Sequence, residues 1–100
     1  MIGQFVSIGS VEWNASEGLI RLPERLTIDV LPGLLKKENW FKLPVKQIDF
    51  SKVRKADSAI LAVLLSWSAN TEQQLTIIDL PEDLKTLVNL YDLENEFSYN

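Results

Sequence analysis

The sequence predicts an α/β domain, a single mixed β-sheet of about four strands with three packed helices. Three observations carry this. Apolar residues switch along the chain between the spacing of a strand and that of a helix. A hairpin signal lies near the N-terminus, ahead of any helix. From there strands and helices take turns, which requires parallel pairing through right-handed crossovers. One hundred residues, 46% apolar and 24% charged, fit one domain spanning residues 1–100.

Val11 and Trp13, then Leu19, Ile20 and Leu22, flank the turn-like Asn14-Ala15-Ser16-Glu17-Gly18, which predicts a short antiparallel pair joined by a wide turn. Next, Thr27 is placed to cap a helix whose apolar residues Ile28, Leu31, Leu34 and Leu35 recur at helical intervals, with Lys36 and Lys37 near its negative end. Pro32 and Gly33 interrupt that pattern. Either the helix is kinked there, or it begins at Pro32, where a missing N–H costs nothing. Val45 to Phe50 predicts a strand whose start is marked by Pro44. Asp57 to Ala69 predicts a helix, and Leu75 to Leu80 predicts a β-branched strand apolar on both faces at its centre. Finally Pro81, Glu82 and Asp83 open a helix with apolar residues Leu84, Leu87, Val88 and Tyr91 at i, i+3, i+4 and i+7.

Composition excludes several kinds of chemistry. There is no Cys and no His, so thiol nucleophiles, disulfides, Ser-His pairs and thiolate or imidazole zinc sites are ruled out. A net charge of −4 argues against a nucleic-acid partner, because neutralising phosphates needs a surplus of Lys and Arg. The longest apolar run, Ala59 to Leu65, falls far short of the roughly 20 residues that span a bilayer. No Lys or Arg precedes Arg21, so a signal-peptide n-region is not seen and a cytoplasmic location is expected. Asp49, Asp57 and Asp79 supply carboxylates, but no nucleophile–base couple and no Gly-rich phosphate cradle accompanies them. No enzyme activity, catalytic residue, cofactor, metal or small-molecule substrate is therefore expected. Asp49 and Asp79 are expected instead in turn or cap roles at strand ends.

Charge is also uneven: residues 1–50 carry six basic and six acidic side chains, residues 51–100 four and eight. Within the second half Lys52, Arg54 and Lys55 cluster just before Asp57, while Asp92, Glu94 and Glu96 make an acidic tail expected to be solvated. Asp57 stands where a carboxylate accepts first-turn N–H groups. Ser58 falls in that first turn, where the positive dipole end, Arg54 and Lys55 favour added negative charge and make it a candidate phosphorylation site. The plainer reading is a simple helix-start pair. At about 100° per residue, Ile60, Leu61, Leu64, Trp67 and Ser68 share the side expected to face the core. Ser58, Ala62, Ser66 and Ala69 share the opposite side, flanked by Ala59, Val63 and Leu65, and no charge occurs between Asp57 and Glu72. A free-standing surface helix turns charge to water. This face is therefore expected to be covered, either by a partner or by a neighbouring helix.

The stretch Ile48-Asp49-Phe50-Ser51-Lys52-Val53-Arg54-Lys55-Ala56-Asp57-Ser58-Ala59-Ile60-Leu61 resembles the central signature of STAS domains, in which an apolar-Asp-apolar-Ser strand end leads through a short loop to Asp-Ser or Asp-Thr at a helix start. The resemblance covers nearly the whole chain. With Leu84 to Leu93 and Trp13, it is most similar to the small cytoplasmic STAS subunit of Mla-type phospholipid ABC transporters. That resemblance implies a non-enzymatic module docking on the transporter's ATPase subunit, peripheral to the inner membrane through that partner. The residues expected at the contact, chosen from the spacing of this helix and its preceding loop, are Lys55, Asp57, Ser58, Ala59, Ala62, Leu65, Ser66 and Ala69. The alternative is an anti-sigma factor antagonist switched by phosphorylation of Ser58. Those antagonists continue with Ser and Gly where this chain has Ala59 and Ile60.

Overall fold

The computed structural model describes residues 4–100. Among them the chain runs β1 (Val6–Ile8), β2 (Val11–Asn14), β3 (Leu19–Arg21), β4 (Arg25–Leu26), α1 (Leu31–Glu38), a 3-10 turn (Trp40–Lys42), β5 (Gln47–Asp49), β6 (Lys55–Ala56), α2 (Ala59–Ala69), β7 (Leu75–Ile78), α3 (Glu82–Leu90) and β8 (Phe97–Tyr99). The mixed α/β architecture is the expected one, with more strands. Six form one sheet in the order β1-β2-β3-β5-β7-β8, and β4 with β6 makes a separate parallel pair.

The hairpin expected around residues 14–18 is β2–β3, with Trp13 opposite Ile20. Its turn is held by the Asn14 side chain, whose Oδ1 accepts from Ser16 Oγ and from the Glu17 N–H. Gly18 closes it in the left-handed region at φ +62°, a conformation nearly free of cost for Gly. The Gly18 carbonyl then accepts from the N–H groups of Lys46 and Gln47, seating β5 beside the hairpin. A second, unexpected hairpin adds β1 outside β2 through a two-residue turn at Gly9-Ser10.

Parallel pairing joins β3 to β5, β5 to β7 and β7 to β8. All three crossovers step in the same direction, so right-handedness places α1, α2 and α3 on one face of the sheet. Side chains on that face are the core: Trp13, Ile20, Ile48, Leu75, Ile77 and Phe97 are buried, as are Ile60, Leu64 and Trp67 of α2. Trp40, from the 3-10 turn, stacks on Trp67 with ring centroids 6.4 Å apart, and the Trp67 indole N–H donates to the Trp40 carbonyl. Glu12, Arg21 and Thr76 point to the other face and are only half-buried.

Three expectations are corrected. Helix α1 starts at Leu31, with Pro32 in its first turn. Thr27 makes a turn ahead of it, its carbonyl accepting from Val30 and Leu31, and Ile28 lies outside the helix and exposed. The strand expected to reach Leu80 ends at Ile78 because Asp79 adopts φ +56° and turns the chain. Tyr91, placed by spacing on the apolar stripe of α3, terminates that helix and is exposed. The acidic tail is exposed at Asp92, Glu94 and Glu96, as expected, and it leads into a further strand whose Phe97 is buried.

Candidate functional site

The basic loop before α2 is tied at both ends. Backbone N–H groups of Arg54 and Lys55 donate to the Glu24 carbonyl at 2.9 and 3.0 Å, and β6 pairs with β4 immediately afterwards. Asp57 follows and engages two backbone donors. Its Oδ1 accepts from Ala59 N–H at 3.0 Å and its Oδ2 from Ile28 N–H at 2.9 Å. The first bond is the expected helix-start role. The second was not legible, since Ile28 is 29 residues away, and it pins the loop ahead of α1 to the beginning of α2.

Ser58 already has helical backbone angles, φ −63° and ψ −13°, and its side chain caps nothing. It is exposed. Along α2 the buried residues are Ile60, Leu61, Val63, Leu64 and Trp67, whereas Ala62, Leu65, Ser66 and Ala69 are exposed. Val63, expected beside the outer face, belongs to the core at 1% exposure. Ser68, expected on the core side, is half-buried. Lys55 is exposed, and Asp57 and Ala59 are half-buried. The eight candidate residues therefore lie on and just before one helix. Five of them, Ser58, Ala62, Leu65, Ser66 and Ala69, form its uncharged solvent-facing side.

Among the described residues no neighbouring helix covers that side. Instead Ser58, Leu61, Ala62 and Leu65 form one wall of an open groove of about 360 Å³ whose other wall is Tyr91 and Leu93. Tyr91, at 55% exposure, extends the apolar surface beyond α2. Its place after the last turn of α3 is the signal that was available in the sequence, because a helix-end residue loses the stripe geometry of the helix interior.

Of the carboxylates weighed for acid–base work, Asp49 and Asp57 are engaged structurally, while Asp79 is exposed and makes its turn through the backbone. Asp49 accepts from Arg21 Nε at 2.9 Å and from Ser51 N–H at 2.8 Å. Arg21 also pairs with Glu12 at 3.5 Å and lies under the Phe5 ring, and Lys52 pairs with Glu12 at 2.6 Å. Burial of Asp49 pushes its carboxyl up, but the Arg21 and Ser51 hydrogen bonds outweigh that and hold it below its usual value. Glu12 is likewise held low, first by its bond from Lys52. Among the described residues no group of three or more acidic side chains is arranged to hold a metal ion. No helix among them is long and apolar enough to cross a membrane.

Comparison with curated proteins finds no match, and comparison with solved structures finds none. The family model described as "Mlab, STAS domain" matches residues 10–97, from the turn before β2 to the first residue of β8. With strands β2, β3, β5 and β7, the three crossover helices and the Asp57-Ser58 start of α2 all inside that match, the chain belongs to the STAS domain family.

Proposed function

We propose that this chain is a non-enzymatic accessory subunit of a phospholipid-transporting ABC complex, contributing to outer-membrane lipid asymmetry. It binds the ATPase subunit through the outer face of α2 and supports that subunit's assembly or activity. STAS domains are typically binding or regulatory domains, which agrees with the absence of His and Cys. The observation that carries the reading is the exposed, uncharged side of α2, where Ala62 and Ala69 let another backbone approach closely and Leu65 and Tyr91 supply apolar area. Binding there biases the ATPase toward the conformation that fits the face. Association with the inner membrane, on its cytoplasmic side, comes through the partner.

The test is co-purification with the ATPase of such a transporter. Ala62→Glu would place an unpaired charge in the contact, costing about 3 kcal/mol or more, which is over a hundredfold in Kd. Ser58→Arg should act in the same direction, and both variants should keep the far-UV circular dichroism of the parent. Normal binding by both removes α2 as the contact.

The exposure of Ser58 at the start of α2 favours a second reading, a phosphorylation-switched anti-sigma factor antagonist. Its mark is a mass increase of one phosphate after incubation with cell extract and ATP, lost in Ser58→Ala. Absence of that increase leaves the transporter reading.

A further inference from the structure

Strand β1 forms one edge of the six-stranded sheet, and its outer side is bare. In an antiparallel ladder, opposed residues alternate between pairs that exchange both backbone hydrogen bonds and pairs that exchange none. The two-residue turn at Gly9-Ser10 makes Ile8 and Val11 a bonded pair, so Val6 and Trp13 form the next one. Phe5 and Ser7 therefore turn their N–H and C=O groups away from β2. No other backbone bond among the described residues reaches either of them. The Phe5 ring folds inward over the Arg21 guanidinium, its centroid 4.1 Å from Cζ, and leaves the edge clear.

Sheet edges are commonly guarded by charged side chains or Pro against pairing with another chain. The opposite edge, β8, is flanked by the exposed carboxylates Glu94 and Glu96. From Gln4 to Val11 there is no charged side chain and no Pro, and Val6 is 54% exposed. A second copy of this chain fits that edge, for two reasons. The register is self-complementary: with Val6 facing Val6 of the second copy across a two-fold axis, Phe5 of each chain exchanges both backbone bonds with Ser7 of the other. Charge is the second reason. Two chains of net charge −4 repel each other, and at this edge they meet without bringing carboxylates together. We propose that the β1 edges of two copies pair antiparallel about Val6, joining their sheets into one in a closed two-fold dimer. The guarded β8 edge stops the sheet from extending further.

Sedimentation equilibrium of the 100-residue chain between about 10 μM and about 1 mM tests this. A reversible monomer–dimer equilibrium is expected, with Kd on the order of 0.1 mM for a contact between two short strands. Val6→Lys sets two ammonium groups against each other on the axis. Ser7→Pro removes an outward N–H that the ladder to β2 does not use. Each should weaken dimerisation at least tenfold while keeping the far-UV circular dichroism of the parent. Ser98→Lys, the same charge change at an exposed position of β8, should leave it unaltered. Hydrogen exchange gives a readout without substitutions, since the Phe5 and Ser7 amides should exchange several-fold more slowly at the highest concentration than at the lowest. Three outcomes overturn the proposal: a monomer throughout the range, a dimer weakened no more by Val6→Lys and Ser7→Pro than by Ser98→Lys, or a dimer whose Phe5 and Ser7 amides exchange as in the monomer. Helix α2 crosses between β5 and β7, away from this edge, so the result is independent of whether the ATPase docks there.

Discussion

Replacing Asp57 with Ala removes the acceptor of two backbone N–H groups, those of Ala59 and Ile28. Loss of a helix-start acceptor costs about 1 kcal/mol. The Ile28 N–H lies at the surface, where water takes the vacated place, so the second bond adds only about 0.5–1 kcal/mol. Together the loss comes to about 1.5–2 kcal/mol, or roughly 6–15 °C in Tm for a domain of this size. Urea unfolding followed by tryptophan fluorescence is a suitable assay, because Trp13, Trp40 and Trp67 are all buried. The midpoint should fall with an unchanged m value. Asp57→Asn keeps a single amide oxygen as acceptor and should lose about half as much. Hydrogen exchange separates the two bonds, since the Ile28 amide should exchange faster in Asp57→Ala although it is distant in sequence. A loss below about 0.5 kcal/mol, or unchanged exchange at Ile28, refutes the bridging role assigned to this carboxylate.

Acid sensitivity should trace partly to Asp49. Its folded value lies below the ordinary 3.8, so the stabilisation is complete above pH 3.8 and is lost as pH falls through the lowered value. The stability gap between the parent and Asp49→Asn, measured by urea midpoints, should therefore shrink below pH 3.8; a gap constant with pH refutes the pairing. Two glycines should respond with opposite signs. Gly9 has φ +60°, and a Cβ there would lie 2.3 Å from Glu38 Cδ, displacing the carboxylate that accepts from Ser10 Oγ and Trp40 Nε1. Gly9→Ala should cost about 2 kcal/mol. Gly33, inside α1 with open space around its Cβ position, should gain about 0.5–1 kcal/mol on replacement by Ala. Thermal melts of the two variants check the pair, and equal shifts would count against both arguments.

The elements legible in the sequence were those whose signal is local. The β2–β3 hairpin, β5, α2, β7 and α3 each combine an apolar period with a boundary residue such as Gly18, Asp57 or Pro81. What was missed is short or lies at an edge. Strands β1 and β8 have three residues each, too few to show a period, and their pairing depends on where β2 and β7 already lie. The Gly9-Ser10 turn was the available cue for β1, since a two-residue Gly-containing loop is a hairpin signal. The candidate face was more legible than the strands, because an uncharged helix of eleven residues shows both its sides in its spacing. The error at Val63 has a plain cause: a helix lying on a twisted sheet buries a wider arc than a five-residue stripe.

By itself the sequence determined the α/β class, the crossover order and the absence of charge along α2, for these follow from periodicity and composition. Only the tertiary structure decided which charges meet. Asp57 reaching the Ile28 N–H, Asp49 reaching Arg21 across adjacent strands, and Lys52 reaching Glu12 all join segments about 30–40 residues apart. Sheet register and the direction of the crossovers set those meetings, and neither is encoded in any local stretch of the chain.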